Sequence, residues 1–385
     1  MKTIEPPMQT ADVYVAPVSG LKRLAAIDAS RGWAALYVVS FHLAMMPGTG
    51  AEAPEWLKPM ISAGGSGVTL FFILSAFSLC HTWRVREGEP NETRSFYIRR
   101  FFRIAPLFFF CLLLAYFRDV WFFGVFQSPR KVLLSSTFLF NLIPGEEQGF
   151  VWASWTIGVE MLFYALFPLI FAWANSISRA VAFLLLTLTT ALAWDHLSHS
   201  FGLAEPVRAS FVHFSFLKNL PCFALGVVLF HVYAKYAPER RRYQELRGVL
   251  ALSGVFLFGA TISGNMQFLF DGLYWLGVAY GLILLGQLIG ASRLVVNSVT
   301  EFCGEISYSL YLNHPVIVFL LSPVYKRVYQ APLSPTLHYM TCLALTLAIL
   351  IPVSYATYRL IERPGMRVGN WIIQARAVRG GGLRT

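Results

Sequence analysis

Arg31 and His42 stand eleven residues apart, separated by a stretch that is almost entirely apolar. On an α-helix that spacing is three turns plus about 20°, so both side chains share one face, roughly 16 Å apart along the axis. Asp28 precedes Arg31 by one turn on nearly the same face. A neutral imidazole, with a reference pKa of about 6.5, can take a proton from a hydroxyl as general base. The Arg31 guanidinium could orient it, through Asp28 or Glu160, or stabilise a developing oxyanion. A plainer reading fits the same residues, with Arg31 a snorkelling interfacial anchor and His42 a packing histidine.

Further groups of this kind follow. Phe96-Tyr97-Ile98-Arg99-Arg100-Phe101-Phe102-Arg103 places three guanidiniums within about one helical turn. Such a cluster suits phosphate binding, and it equally suits anchoring by positive charge. Trp155 opens an aromatic helix in which Glu160 lies about one turn inside. A carboxylate there must be paired or protonated, and Arg31 and His42 are natural partners, in a structural pair or a catalytic one. Ser75 follows a stretch, Gly64-Gly65-Ser66-Gly67, whose small residues permit close helix approach or line a substrate path. Ser75 is a hydrogen-bonding neighbour with nothing beside it to make it a nucleophile. Tyr311 and His314 lie in Ile306-Ser307-Tyr308-Ser309-Leu310-Tyr311-Leu312-Asn313-His314-Pro315, where His314 is expected to bond Ser or Tyr hydroxyls. No P-loop, dinucleotide fingerprint, HExxH pair or GxSxG elbow is present, and no metal site or bound cofactor is expected. The five cysteines are dispersed through apolar segments without metal-ligand spacing, as packing residues are.

The elements that must carry these residues are membrane helices. Of 385 residues, 56% are hydrophobic and only 13% charged, with a mean hydropathy of +0.57; a soluble chain carries about twice that share of charge. The expected fold is an all-α polytopic membrane protein of about ten transmembrane helices. Candidate spans lie near 32–47, 66–83, 104–123, 155–174, 179–195, 212–233, 248–263, 268–290, 304–325 and 338–358. A short apolar run at 132–142 is expected not to span. With both termini cytoplasmic, most of the 31 Lys and Arg residues fall on the cytoplasmic side. If 132–142 crossed, the Lys235–Arg247 cluster and the basic C-terminus would move outside, against the positive-inside rule. The net charge of +11 therefore reads as topology, and nucleic acid is excluded as a partner. The expected organisation is a cytoplasmic tail at 1–23, a transmembrane domain at 24–365 and a basic cytoplasmic tail at 366–385.

At these residues the chain resembles the membrane-bound acyltransferase family 3, whose members O-acylate bacterial surface polysaccharides, lipid-linked sugars and some antibiotics. The features that carry the resemblance occur in order over residues 24–365: Asp28-Ala29-Ser30-Arg31-Gly32 with His42; Gly67 through Phe77; Arg99 through Pro106; Ser154-Trp155 with Glu160; Ser307 through Pro315; and Ile361-Glu362-Arg363-Pro364. One departure is Ala76, where the family usually carries Gly after the second-span Ser. The resemblance implies the stand-alone type, without a fused hydrolase-like domain, in the bacterial inner membrane. It implies acyl-CoA, often acetyl-CoA, as cytoplasmic co-substrate, and a polysaccharide or lipid-linked sugar as acceptor. It further implies His42 as base, with Arg31, Asp28 and Glu160 beside it and the donor's nucleotide end held by Arg99, Arg100 and Arg103. Ser75, Trp155, Tyr311 and His314 would support the site. The alternative function is a transporter moving an anionic lipid or sugar along the same polar stripe.

Overall fold

The computed structural model describes residues 24–265 and 271–381, and the described residues form helices without strands. The helices are α1 (Ala25–Met45), α2 (Lys58–Ser62), α3 (Gly67–Val85), α4 (Glu92–Phe123), α5 (Pro129–Ser136), α6 (Trp155–Trp173), α7 (Ile177–Ser198), α8 (Glu205–Phe214), α9 (Phe216–Tyr236), α10 (Leu246–Ile262), α11 (Gly272–Ile289), α12 (Ser298–Glu305), α13 (Ser307–Val328), α14 (Pro335–Thr357) and α15 (Arg363–Gly381). Several of these helices start on short polar residues. Ser128, Ser176, Ser215 and Ser334 each accept a bond from the backbone N–H three residues on, and Asn297 with Thr300 closes a capping box. Inside a bilayer this matters because a helix satisfies its own backbone groups and an open chain does not.

Each of the ten expected spans falls on one of the long helices. Seven helical stretches among the described residues are long and apolar enough to cross a membrane by length and composition. Of the remaining three, α10 is a shorter apolar helix of 17 residues. The other two, α1 and α13, are long enough but carry the polar residues of the candidate site. The run at 132–142 forms the end of α5 and a single 3₁₀ turn, Phe140–Leu142, too short to span. The third span begins earlier than expected. The helix starts at Glu92, so the arginine cluster lies within its first turns. Beyond residue 365 the chain continues as α15, laid against α4 through Gly365 beside Pro106 and Gly369 beside Phe102; the expected boundary between domain and tail is a packed helix. The expected tail at 1–23 lies outside the described residues.

Glycines set the positions of the site helices. A Cβ on Gly304 of α12 would stand 1.9 Å from the Asp28 carbonyl oxygen, and one on Gly32 would stand 2.3 Å from that of Thr300. Thus α1 and α12 cross backbone to backbone beside Arg31. Gly64 and Gly67 bring the start of α3 against Tyr37 and Ala34 of α1, so the small-residue stretch is a packing surface. At Ala76 the methyl is fully buried against Gly226 of α9, which has no room for a Cβ of its own beside the Ile73 carbonyl. The glycine at this helix crossing therefore sits on α9, opposite the unusual alanine.

Candidate active site

A cavity of about 140 Å³ opens between α1, α3, α4, α6 and α13, walled by Arg31, Ser75, Arg100, Arg103, Glu160, Tyr164, Tyr308 and Tyr311, with Phe71 and Phe72 supplying its apolar side. Arg31 donates to Ser78 Oγ at 2.9 Å and lies 3.7 Å from Asp28. Arg103 pairs with the fully buried Glu362, whose other oxygen accepts from Ser309 Oγ at 2.8 Å. The Arg103 guanidinium also sits over the Tyr308 ring, 5.7 Å from its centroid. Arg100 contributes a buried Nε with no hydrogen-bond partner among the described residues. An unpartnered buried donor on a cation is costly, and here it borders a cavity that could hold an anion. Arg99 turns away to Glu89, at 2.8 Å, and lines a smaller recess with Arg86.

Glu160 takes its bonds from hydroxyls. Ser75 Oγ donates to it at 2.6 Å and Tyr164 Oη at 2.5 Å, both to Oε1. The expected pairing with Arg31 or His42 is replaced by this hydroxyl pair, because α3 and Glu160's own helical turn reach the carboxylate first. Trp155 does not line the cavity; it packs edge-on against Phe72 and tilted against Phe214, and so fixes the start of α6. Just before it, Ala153 adopts φ 63°, a left-handed conformation rare for non-glycine residues. Its carbonyl accepts from Tyr311 Oη at 3.1 Å, and Thr156 Oγ1 donates to the same tyrosine at 3.0 Å.

His42 lies outside the wall of this cavity, one layer further along α1. There it meets His314, Nδ1 to Nε2, at 3.2 Å, with ring centroids 4.7 Å apart. His314 is fully buried, and its partners are His42 and the Tyr311 carbonyl, with no hydroxyl among them. The expectation of Ser or Tyr hydroxyls fails because Pro315 and the helical turn point the ring back along α13. The bonds fix the tautomers. His314 Nδ1 faces the Tyr311 carbonyl oxygen at 2.6 Å and must carry the hydrogen, so His314 Nε2 is an acceptor. His42 Nδ1 then faces two acceptors, that nitrogen and the Val38 carbonyl oxygen at 3.0 Å, and must be a donor. The remaining nitrogen, His42 Nε2, holds the free lone pair.

The site is thus layered along α1 and α13. Arg31, Arg100, Arg103 and Tyr308 form one level, Tyr311 with Phe71 and Thr156 the next, and His42 with His314 the third. Arg31 and His42 do share a helix face, but their roughly 16 Å axial separation prevents both from touching one small reacting group. Sequence reasoning gave no role to Tyr164, Tyr308, Ser78 or Glu362. Tyr164 could have been found as the residue one turn after Glu160, and Glu362 as the carboxylate of the C-terminal motif. Among the described residues no group of three or more His, Cys, Asp or Glu could hold a metal, and all five cysteines are free and buried.

The chain is similar to known proteins over most of its length. The family model described as an acyltransferase domain matches residues 24–355. A provisionally named acetyltransferase of the Acidianus two-tailed virus is 23% identical, covering 76% of this chain and 83% of that protein. A provisionally named O-acetyltransferase of Staphylococcus aureus strain COL is 22% identical over 91% of the chain, and the peptidoglycan O-acetyltransferase OatA of Listeria monocytogenes 22% over 79%. The chain spans only 59% and 50% of the length of those two bacterial relatives. No solved structure matches it. With the family model covering most of its length, the chain belongs to the acyltransferase 3 family of multi-pass membrane proteins.

Proposed function

We propose that this membrane O-acyltransferase moves an acyl group, most simply acetyl, from cytoplasmic acyl-CoA to a hydroxyl of a surface polysaccharide or lipid-linked sugar. The observation that carries the proposal is the His42–His314 contact, Nδ1 to Nε2 at 3.2 Å, one layer beyond an arginine-lined cavity. The acceptor oxygen attacks the thioester carbonyl carbon as its proton passes to His42 Nε2. The resulting imidazolium keeps its Nδ1–H bond to His314. The tetrahedral intermediate then collapses, the carbon–sulfur bond breaks, and the proton returns to the leaving thiolate. A base so placed is typically worth about 10²–10⁴-fold.

Arg31, Arg100 and Arg103 serve the donor in this reading, binding its phosphates where the pantetheine arm enters. Their distance from His42 suits an extended arm of comparable length, and it removes Arg31 from the roles of orienting His42 or stabilising the oxyanion. Glu160 and Asp28 then hold the donor site: Glu160 fixes Ser75 and Tyr164, and Asp28 fixes Arg31. Tyr311 and His314 position the base. The arginine-bearing end faces the cytoplasm of a bacterial inner membrane, consistent with the basic clusters beside it.

Mass spectrometry of surface glycans and glycolipids tests the reading in cells lacking the gene, complemented with wild type or His42→Ala. Loss of one acyl mass, restored by wild type and not by His42→Ala, is expected. Unchanged glycans, or full rescue by His42→Ala, would contradict it.

A further inference from the structure

At the far end of α4 from the arginine cluster lies a second cavity, about 360 Å³, that the donor site does not use. Its walls include Arg118, Asp119, Phe123, Gln127 and Trp152. The Arg118 guanidinium carbon lies over the Trp152 ring, 3.8 Å from its centroid. Asp119 Oδ1 accepts from Arg118 Nε at 2.8 Å and Nη2 at 2.6 Å, and Nη2 also reaches the Phe150 carbonyl oxygen at 3.0 Å. Gln127 donates to the other Asp119 oxygen at 2.6 Å. Arg118 is 8% exposed, yet its Nη1 is buried without a hydrogen-bond partner among the described residues.

A cation anchored on three sides and left with one idle buried donor is a group held ready for a ligand's oxygen. The charge is already balanced by Asp119, so the ligand has no need to be an anion. The rings around it are aromatic: Trp152 packs against Phe319 at 5.2 Å, and Phe123 packs on both. Beside the cavity Trp121 and Phe126 are 86% and 74% exposed, the aromatic girdle expected at a membrane–water boundary. A planar hydrogen-bonding group among aromatic faces, at an aqueous boundary, matches the chemistry of a pyranose, with one apolar C–H face and a rim of hydroxyls.

We propose that this cavity is a sugar-binding subsite for the acyl acceptor, an inference that rests on the transferase reading above. Its connection to the base is short. Trp152 adjoins Ala153, whose carbonyl takes the Tyr311 hydroxyl, and the Tyr311 carbonyl takes the His314 ring. Phe319 lies five residues beyond His314 on α13, a rise of about 7.5 Å, on the scale of one or two sugar rings. A saccharide seated on Trp152 therefore extends toward His42 from the side opposite the donor's phosphates.

Saturation-transfer NMR on the purified full chain in detergent tests this with maltotetraose, cellotetraose and chitotetraose as probes. Wild type is expected to transfer saturation to the ring C–H protons of at least one of them. Trp152→Leu and Arg118→Lys should weaken that binding about tenfold, while Trp152→Phe, which keeps an aromatic face, retains most of it. Melting curves establish that each variant is folded, and Arg118→Lys carries the test if Trp152→Leu is not. No saccharide binding by wild type, or undiminished binding in the folded variants, overturns the subsite. The two readings separate cleanly. Thiol release from acetyl-CoA without saccharide binding would sink the subsite alone, and saccharide binding without thiol release would sink the transferase reading and with it the subsite's role for an acyl acceptor.

Discussion

His42 and His314 form a pair, Nδ1 to Nε2 at 3.2 Å, in which two neutral rings would each fix the other's protons. The arrangement resembles a catalytic base and its orienting partner, with a neutral imidazole where a carboxylate often stands. Replacing His314 by Phe removes the acceptor that holds the His42 Nδ1 hydrogen, leaving Val38's carbonyl alone. The maximal rate of transfer should fall about tenfold or more, by analogy with lost orienting partners, with little change in KM for acyl-CoA. Steady-state kinetics on purified protein would check this, and a raised KM with an intact maximal rate would count against it. The arginines separate in another way. Arg100→Ala should raise the KM for acyl-CoA and lower the melting temperature less than Arg103→Ala does, since its guanidinium meets the Tyr164 hydroxyl and the Phe96 ring and strands no fully buried carboxylate. Arg103→Ala strands Glu362 without its counter-charge in a fully buried site, a loss of about 3–5 kcal/mol. It should therefore reduce folded yield as well as donor binding, and Glu362→Gln in the same chain should restore part of the yield. Equal melting temperatures for Arg100→Ala and Arg103→Ala would contradict this assignment.

Helix placement depends on contacts that carry no chemistry. Gly304→Ala would drive a methyl against the Asp28 carbonyl, where backbone must move to accept it; overpacking of this kind costs about 1–3 kcal/mol. Gly259→Ala on α10 meets nothing within 4 Å and should be neutral or stabilising by about 0.4–1 kcal/mol. Thermal melting of the two variants in detergent should move in opposite directions, or fall for Gly304→Ala alone. Equal destabilisation would mean the α1–α12 crossing is looser than its geometry. The ten long helices themselves were legible in the sequence, since apolar length and flanking charge act locally. Four of them start on a capping side chain, Ser176, Ser215, Asp271 or Ser334. What could not be read were pairings across the bundle. His42 meets His314 across 272 positions of chain, and Ser75 meets Glu160 across 85. A helical wheel gives the face on which a residue lies, and says nothing of which helix will face it. The spacing along α1 gives Arg31 and His42 one face roughly 16 Å apart, whereas the partners of Glu160 and His314 come from packing across the bundle.

At the scale of the molecule, the bundle gives two polar chambers at opposite ends of α4, with His314 lying along α13 between Tyr308, in the wall of one, and Phe319, packed on Trp152 of the other. Such an arrangement would let a donor with a charged head and an acceptor with a bulky glycan meet without either crossing the hydrocarbon. The sidedness is open to measurement. The five native cysteines are buried, so an impermeant maleimide should label wild type weakly. Cysteine introduced at Gly88, beside the arginine end, should label only from the cytoplasm, and cysteine at Gly124, past the end of α4, only from outside. Labelling of both from one side would overturn the topology.

Purified protein in detergent micelles, where no ion gradient exists, tests the central claim most directly when given acetyl-CoA and an extract of surface glycans. The account predicts free thiol released in step with acetyl groups gained by the glycan, reduced by two or more orders of magnitude in His42→Ala with protein of unchanged melting temperature. Full activity in His42→Ala would contradict the assignment of the base. No thiol release from wild type with any hydroxyl acceptor would contradict the transferase reading itself.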